Sequence, residues 1–187
     1  MTPENMPGSY ARFQSPAPPE LPDSGAKMWG LTLSPLWAAA IVHGSKRLEN
    51  RHSRPIGAAT SGQRIFIHAG AQAMEDWPWN LYEEYLARAR QHGEVDPELH
   101  RRSLDRRSII GTCRIVGFDD AYSAASGRND PWRITGYRYG WWLGDVRPIT
   151  PILARGNQGW WQYSKAEIEA AERTWREAIV SEAALRG

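Results

Sequence analysis

Residues 31–51, LTLSPLWAAAIVHGSKRLENR, hold the transition that decides the fold. The stretch begins inside an alternating run, Met28–Leu33, that reads as a strand. Ser34 and Pro35 then open a helix: serine suits the N-cap, and proline suits the first helical position, where its missing N–H is not needed. Leu36, Trp37, Ala40 and Ile41 share one face of that helix, and Gly44 stands where it should end. His43 is placed as a charge partner for the helix C-terminus. Ser45–Arg54 reads as a polar, charged connection, and a loop rich in Gly, Ala and Ser leads on through Gly62.

Arg64–Ala69, RIFIHA, reads as a buried strand. Residues 71–108 look like a helical insertion. Asn80 caps one helix running to about Gln91, and Asp96-Pro97 opens a second whose Arg101, Arg102, Arg106 and Arg107 gather on a basic face. That face is either a solvated surface or a set of phosphate contacts. Ser108–Asp119 is the next strand, with Ile110, Thr112, Arg114 and Val116 on one face and Ile109, Cys113 and Ile115 near the other. A loop over 121–135 ends near Trp132. Short strands are expected at Tyr137–Leu143, Pro148–Leu153 and Gln158–Gln162. Ser164 and Glu167 form a capping box that opens an amphipathic helix to about Leu185.

The organisation that follows is a Pro-rich, disordered leader at 1–26, a domain at 27–163 and a C-terminal helix at 164–187 packed on it. Early helix, short strands of mixed spacing and a terminal helix point to an α+β fold, a small and partly closed mixed β-barrel.

Composition excludes several classes. The single cysteine, Cys113, rules out a disulfide framework and a cysteine-based zinc site, and fits a reducing, cytoplasmic setting. No apolar run approaches the roughly 18 residues of a membrane span, and the start of the chain lacks signal-peptide order. Five histidines are scattered without metal-ligand spacing. Phosphate-loop and dinucleotide glycine patterns are absent, so no cofactor is implied. The net charge is only +2, with the surplus of Lys and Arg lying between residues 28 and 163. Nucleic-acid binding is permitted by that balance without being demanded. Ten tryptophans against seven tyrosines and three phenylalanines are the odd feature. They serve either as core or as a stacking platform for bases. In the pairs Trp141-Trp142 and Trp160-Trp161, strand alternation should put one indole inward and one outward.

Gly44-Ser-Lys46-Arg-Leu-Glu49-Asn-Arg51 matches a G-x-K-x-x-E-x-R signature at every fixed position. With IFIHAG, IIGTCRIVGF and YGWWLGDVRPITPILARGNQGWW, residues 29–163 resemble the ASCH domain, a member of the PUA-like barrel superfamily. The segment Arg155-Gly156-Asn157-Gln158-Gly159-Trp160 is similar to that family's basic-Gly-x-x-Gly-aromatic piece. Read from the residues, a lysine and an arginine flanking one carboxylate hold it ionised beyond the end of a helix. That trio is either a ligand-facing site or a salt-bridged cluster closing the barrel.

The resemblance implies a cleft that binds RNA, a nucleotide or a modified base, with Trp37, Lys46, Glu49, Arg51, His68, Trp141, Arg155, Asn157, Gln158 and Trp160 as contacts. Two alternatives remain. One is a hydrolase on RNA or a modified nucleoside, ribonuclease-like or similar to acetylcytidine amidohydrolases, using Lys46 and Glu49 as catalytic groups without a metal. The amidohydrolase pattern places a threonine three residues after the lysine, where this chain has Glu49. The other is a protein-interaction accessory domain that docks through its helices.

Overall fold

The computed structural model describes residues 27–55, 62–72, 83–84, 87, 90–91, 105–122, 130–170 and 173–174. The elements follow in the order β1 (Met28–Leu33), α1 (Pro35–Val42), β2 (Leu48–Arg51), β3 (Arg64–Ala69), β4 (Ser108–Asp120), β5 (Tyr139–Leu153) and β6 (Trp160–Tyr163). They form one sheet with the strand order β2-β5-β4-β3-β1-β6. β1 and β3 run parallel, Gly30 opposite Phe66 and Leu33 opposite Ala69. The other four pairings are antiparallel. The fold class is therefore α+β, built on a mixed sheet.

The paired ladder ends at β2 and β6, and those two edges do not join among the described residues. The sheet nonetheless curls on itself: Trp160 of β6 stacks on Trp141 of β5, with ring centroids 5.4 Å apart and planes 13° from parallel. The concave face collects Leu31, Ile65, Ile67, Ile110, Cys113, Ile115 and Leu143. The convex face collects Phe66, Ile109, Ala154, Trp161 and Ile168. Alternation along β3 sends Ile65 and Ile67 to the first face and Phe66 to the second.

Helix α1 fills the curl. A one-sided amphipathic helix was expected, but every residue of it except Trp37 is buried. Ala38, Ile41 and Val42 join the concave core, while Leu36, Ala39 and Ala40 pack with Leu48 and Trp132. A helix apolar all round is suited to such a position. Its small residues and Gly111 allow the close approach: a Cβ at Gly111 would sit 2.7 Å from a Val42 methyl. Ser34 occupies the N-cap as expected yet makes no side-chain capping bond; the first turn is closed by its own carbonyl, which accepts from the Ala38 N–H at 3.0 Å. His43 is the C-cap, in an ordinary right-handed conformation, and Gly44 follows it just past the helix end.

Four further expectations are corrected. Residues 48–51 are a strand, which their polar sequence hid; the pairing partner is β5, with Glu49 opposite Trp141. The two strands expected at 137–143 and 148–153 are one bent strand that continues through Asp145, at φ 48°, and Pro148. On β4, bulges between Ile109 and Gly111 and between Thr112 and Arg114 reset the alternation, so Ile110 joins Cys113 and Ile115 on the concave face. Arg106 and Arg107 are exposed and not helical.

The capping box at Ser164 forms as written. The Ser164 N–H donates to Glu167 Oε2 at 2.7 Å, and the Glu167 N–H donates back to Ser164 Oγ at 3.2 Å. Residues 165–170 are helical, and Ile168 anchors that turn on the convex face. The leader at 1–26, Trp77, Trp79, Asn80, the basic-helix residues Arg101 and Arg102, and Trp175 lie outside the described residues. Among the described residues no helix is long and apolar enough to cross a membrane.

Candidate functional site

The turn after α1 delivers Lys46 into the space beneath Trp37. Its backbone N–H bonds the Ala40 carbonyl at 3.1 Å, which draws the chain back under the helix. Lys46 is 1% exposed. Its Nζ donates to Glu49 Oε2 at 2.7 Å and to the Leu48 carbonyl, and lies 5.8 Å from the Trp37 ring centroid. Burial pulls the Lys46 pKa below its usual value, and the neighbouring Glu49 carboxylate only partly restores it.

Glu49 sits on β2, whose pairing with β5 aims alternate side chains at the concave face. Its second oxygen, Oε1, lies 3.2 Å from Arg51 Nε, so one buried carboxylate serves two cations. The Arg51 guanidinium lies over Trp141, 5.4 Å from the ring centroid. Its side chain keeps 27% exposure, while Nη2 is buried without a hydrogen-bond acceptor among the described residues. Trp141 is thus covered by Arg51 and by Trp160, and its indole N–H donates to the Ser53 carbonyl at 3.0 Å. A tryptophan held in this way carries the arginine rather than offering a face to a base. Trp160 is half-buried and meets Trp29 edge-on at 6.0 Å.

The structure therefore brings together Trp37, Lys46, Glu49, Arg51, Trp141 and Trp160. It places the other expected contacts differently. His68 follows the opposite alternation on β3 and faces the convex side, edge-on to Trp161 at 5.9 Å. Arg155 lines a cavity beside His68, and Asn157 and Gln158 are exposed in the same loop. Each tryptophan pair divides as alternation requires: Trp141 and Trp160 pack on the concave core, Trp142 and Trp161 elsewhere.

Sequence reasoning passed over Asn50, the variable position inside the signature. Its buried amide donates to the Trp132 carbonyl at 2.8 Å and accepts from the Ile134 N–H at 3.0 Å. That fixes the loop before β5, and with it Trp132, which meets Trp37 edge-on at 6.3 Å. The one signal was an amide between two charged residues of a tight motif. Among the described residues no group of three or more His, Cys, Asp and Glu side chains is placed to hold a metal.

A mixed sheet curled round a buried helix, with a Lys–Glu–Arg cluster over paired tryptophans, is the class of protein this geometry defines. No protein-family model and no curated protein matches the sequence. Among solved structures it is similar to ASCH from Zymomonas mobilis, with 19% identity, a TM-score of 0.40, and coverage of 76% of this chain and 91% of that one. Two single-substitution variants of the same protein give 19% and 20% identity, TM-scores of 0.41, and coverage of 76% and 78% of this chain and 92% and 96% of theirs. Similarity at this level leaves the site to be read from the chain's own residues.

Proposed function

We propose that the concave face binds a nucleobase, in RNA or as a free or modified nucleotide, at the Lys46–Glu49–Arg51 cluster. The observation that carries this is Arg51: a guanidinium fixed on Trp141 and beside Glu49 whose side chain keeps 27% exposure at the cluster's open side. A planar guanidinium held in place and still partly open to solvent suits a base carbonyl or a phosphate oxygen. The half-buried Trp160 beside it supplies the stacking surface. In this reading the curled sheet is a barrel of the PUA-like kind left open between β2 and β6, and the protein works in the cytoplasm.

The test is a titration of labelled single-stranded RNA, single-stranded DNA and free nucleosides, read by fluorescence anisotropy or calorimetry. Arg51→Ala is expected to weaken binding by at least about tenfold, since a charged hydrogen bond contributes roughly 1.5–3 kcal/mol. Arg51→Lys keeps the charge, loses the planar fork and should fall between. Wild-type affinity in folded Arg51→Ala would overturn the assignment.

A second reading, hydrolysis of RNA or of a modified nucleoside, is favoured by Lys46. A buried amine with a lowered pKa, 2.7 Å from a carboxylate, is a pair between which a proton can pass. Incubation with RNA and with acetylated cytidine decides it; no product from folded protein, with or without divalent metal, removes it.

A further inference from the structure

The Arg51 cluster does not end at Arg51. Phe118 stands opposite Trp141 in the β4–β5 ladder and so shares its side of the sheet. It meets Tyr139 edge-on at 6.3 Å and is 42% exposed. Tyr122, just past the end of β4, is 80% exposed. Among the described residues the large apolar side chains that face solvent are these two and Val116. A lone exposed ring needs no explanation. Phe118 and Tyr122 are not alone, because arginines join them to the cluster.

The Arg54 guanidinium lies 5.7 Å from the ring centroids of both Phe118 and Tyr139. That of Arg138 lies 5.1 Å from Tyr139 and 6.0 Å from Tyr122. Both arginines are exposed. Arg54 belongs to the segment that carries Arg51, and that segment is fixed where the Ser53 carbonyl accepts the Trp141 indole N–H at 3.0 Å. Arg51 over Trp141, Arg54 over Tyr139 and Phe118, and Arg138 beside Tyr122 therefore make one continuous surface. Guanidiniums resting on rings present a flat cationic face, and single-stranded bases stack on such faces and on open aromatic rings.

Spacing selects the form of the strand. Tyr139 and Trp141 are two residues apart on β5, about 6.8 Å along it, twice the rise of about 3.4 Å between nucleotides of a stacked strand. Bases seated at Arg51 and at Arg54 are thus parted from each other, which a single strand permits and a duplex does not.

One carboxylate faces this surface. Asp120 stands opposite Tyr139 in the ladder, and its side chain keeps 23% exposure. Its Oδ1 accepts from the Tyr122 N–H at 3.0 Å and its Oδ2 from Arg138 Nε at 3.2 Å. Those bonds, the Tyr122 one foremost, hold its pKa below the ordinary carboxylate value. Each oxygen retains a lone pair. An ionised carboxylate repels phosphate and accepts from a hydroxyl, and the 2′-hydroxyl is what distinguishes RNA from DNA.

We infer that the ligand of the Lys46–Glu49–Arg51 cluster is a single strand of RNA and not a free nucleotide, with the nucleotides next to the one at Arg51 stacked on Arg54, Phe118 and Tyr122 and a ribose hydroxyl turned to Asp120. This rests on the reading of the cluster as a nucleobase site, and adds to it where the chain leaves that site.

Calorimetry tests it with a mixed-sequence RNA octamer, its constituent nucleoside monophosphates, the DNA octamer of the same sequence and the RNA duplex. The wild type should bind the RNA octamer at least tenfold more tightly than any monophosphate, and more tightly than the DNA strand or the duplex. Arg54→Gln/Tyr122→Ser changes two exposed side chains and should bind the octamer at least tenfold more weakly than the wild type does. Arg51→Ala should weaken octamer and monophosphates alike. An octamer bound no better than a monophosphate, DNA or duplex bound as well as the RNA strand, or an unchanged octamer affinity in the folded double variant would each overturn the inference and leave the base site at Arg51 standing. No binding of any probe by the wild type, or unchanged affinities in folded Arg51→Ala, would overturn both.

Discussion

Glu49→Gln replaces the carboxylate that faces Lys46 by a neutral amide of the same shape. Lys46 is 1% exposed, and with the carboxylate gone its Nζ keeps the Leu48 carbonyl as its hydrogen-bond acceptor. The ammonium must then stay charged in a buried place or shed its proton. Shedding sets the ceiling on the cost. About 3.4 pH units separate pH 7 from the ordinary lysine value near 10.4, at about 1.36 kcal/mol each, which amounts to about 4.6 kcal/mol. Removing one member of a buried pair costs roughly 3–5 kcal/mol in general, so a loss of about 3–4.6 kcal/mol is expected at pH 7.

The ceiling falls with pH, to about 1.9 kcal/mol at pH 9 by the same constant. The sign follows from linkage: folded Lys46 holds its proton less tightly than the unfolded chain does, so stability on its account rises with pH until about 10.4. Urea unfolding of both proteins at pH 7 and pH 9 measures this, with the ten tryptophans as the signal. A loss below about 1 kcal/mol at pH 7, or an equal loss at both pH values, would refute the burial argument for Lys46.

Two further outcomes follow from single contacts. The His68 pKa is depressed by burial, so stability from its neutral form is complete above about pH 6.5 and is lost as pH falls below that value. Thermal melts at pH 7.5 and 5.5 should show the wild type losing more than His68→Gln does. Gly30→Ala would drive a methyl group into the Trp161 ring across the β1–β6 pair. A destabilisation of at least about 1–3 kcal/mol is expected, seen as a drop of several degrees in Tm; an unchanged Tm would show that Trp161 can swing aside.

Legibility varied with how local the cause was. β1, β3 and the Ser164 capping box rest on neighbours in sequence, and each stands where the residues put it. β2 was hidden because Leu48–Arg51 is polar in pattern; it becomes a strand only when β5 offers its hydrogen bonds. α1 was legible as a helix but not as a plug, since what surrounds a helix is absent from its own periodicity. The division of Trp141 from Trp142 and of Trp160 from Trp161 needed only the two-residue repeat of a strand.

The candidate site divides in the same way. The spacing from Lys46 through Glu49 to Arg51 was enough to foresee one carboxylate shared by two cations, because three residues so close in sequence meet wherever the chain runs. That Trp141 supports Arg51, that Asn50 holds the loop at Trp132, and that His68 faces away from the cluster with Arg155 and Arg107 were settled by tertiary structure. These depend on strand pairing, on bulges that shift side chains between faces, and on the curl that brings β6 onto β5. Each of those joins residues far apart in the chain. Sequence alone determined which groups were present and how near neighbours could pair; the closed set of distant contacts decided which face each group served.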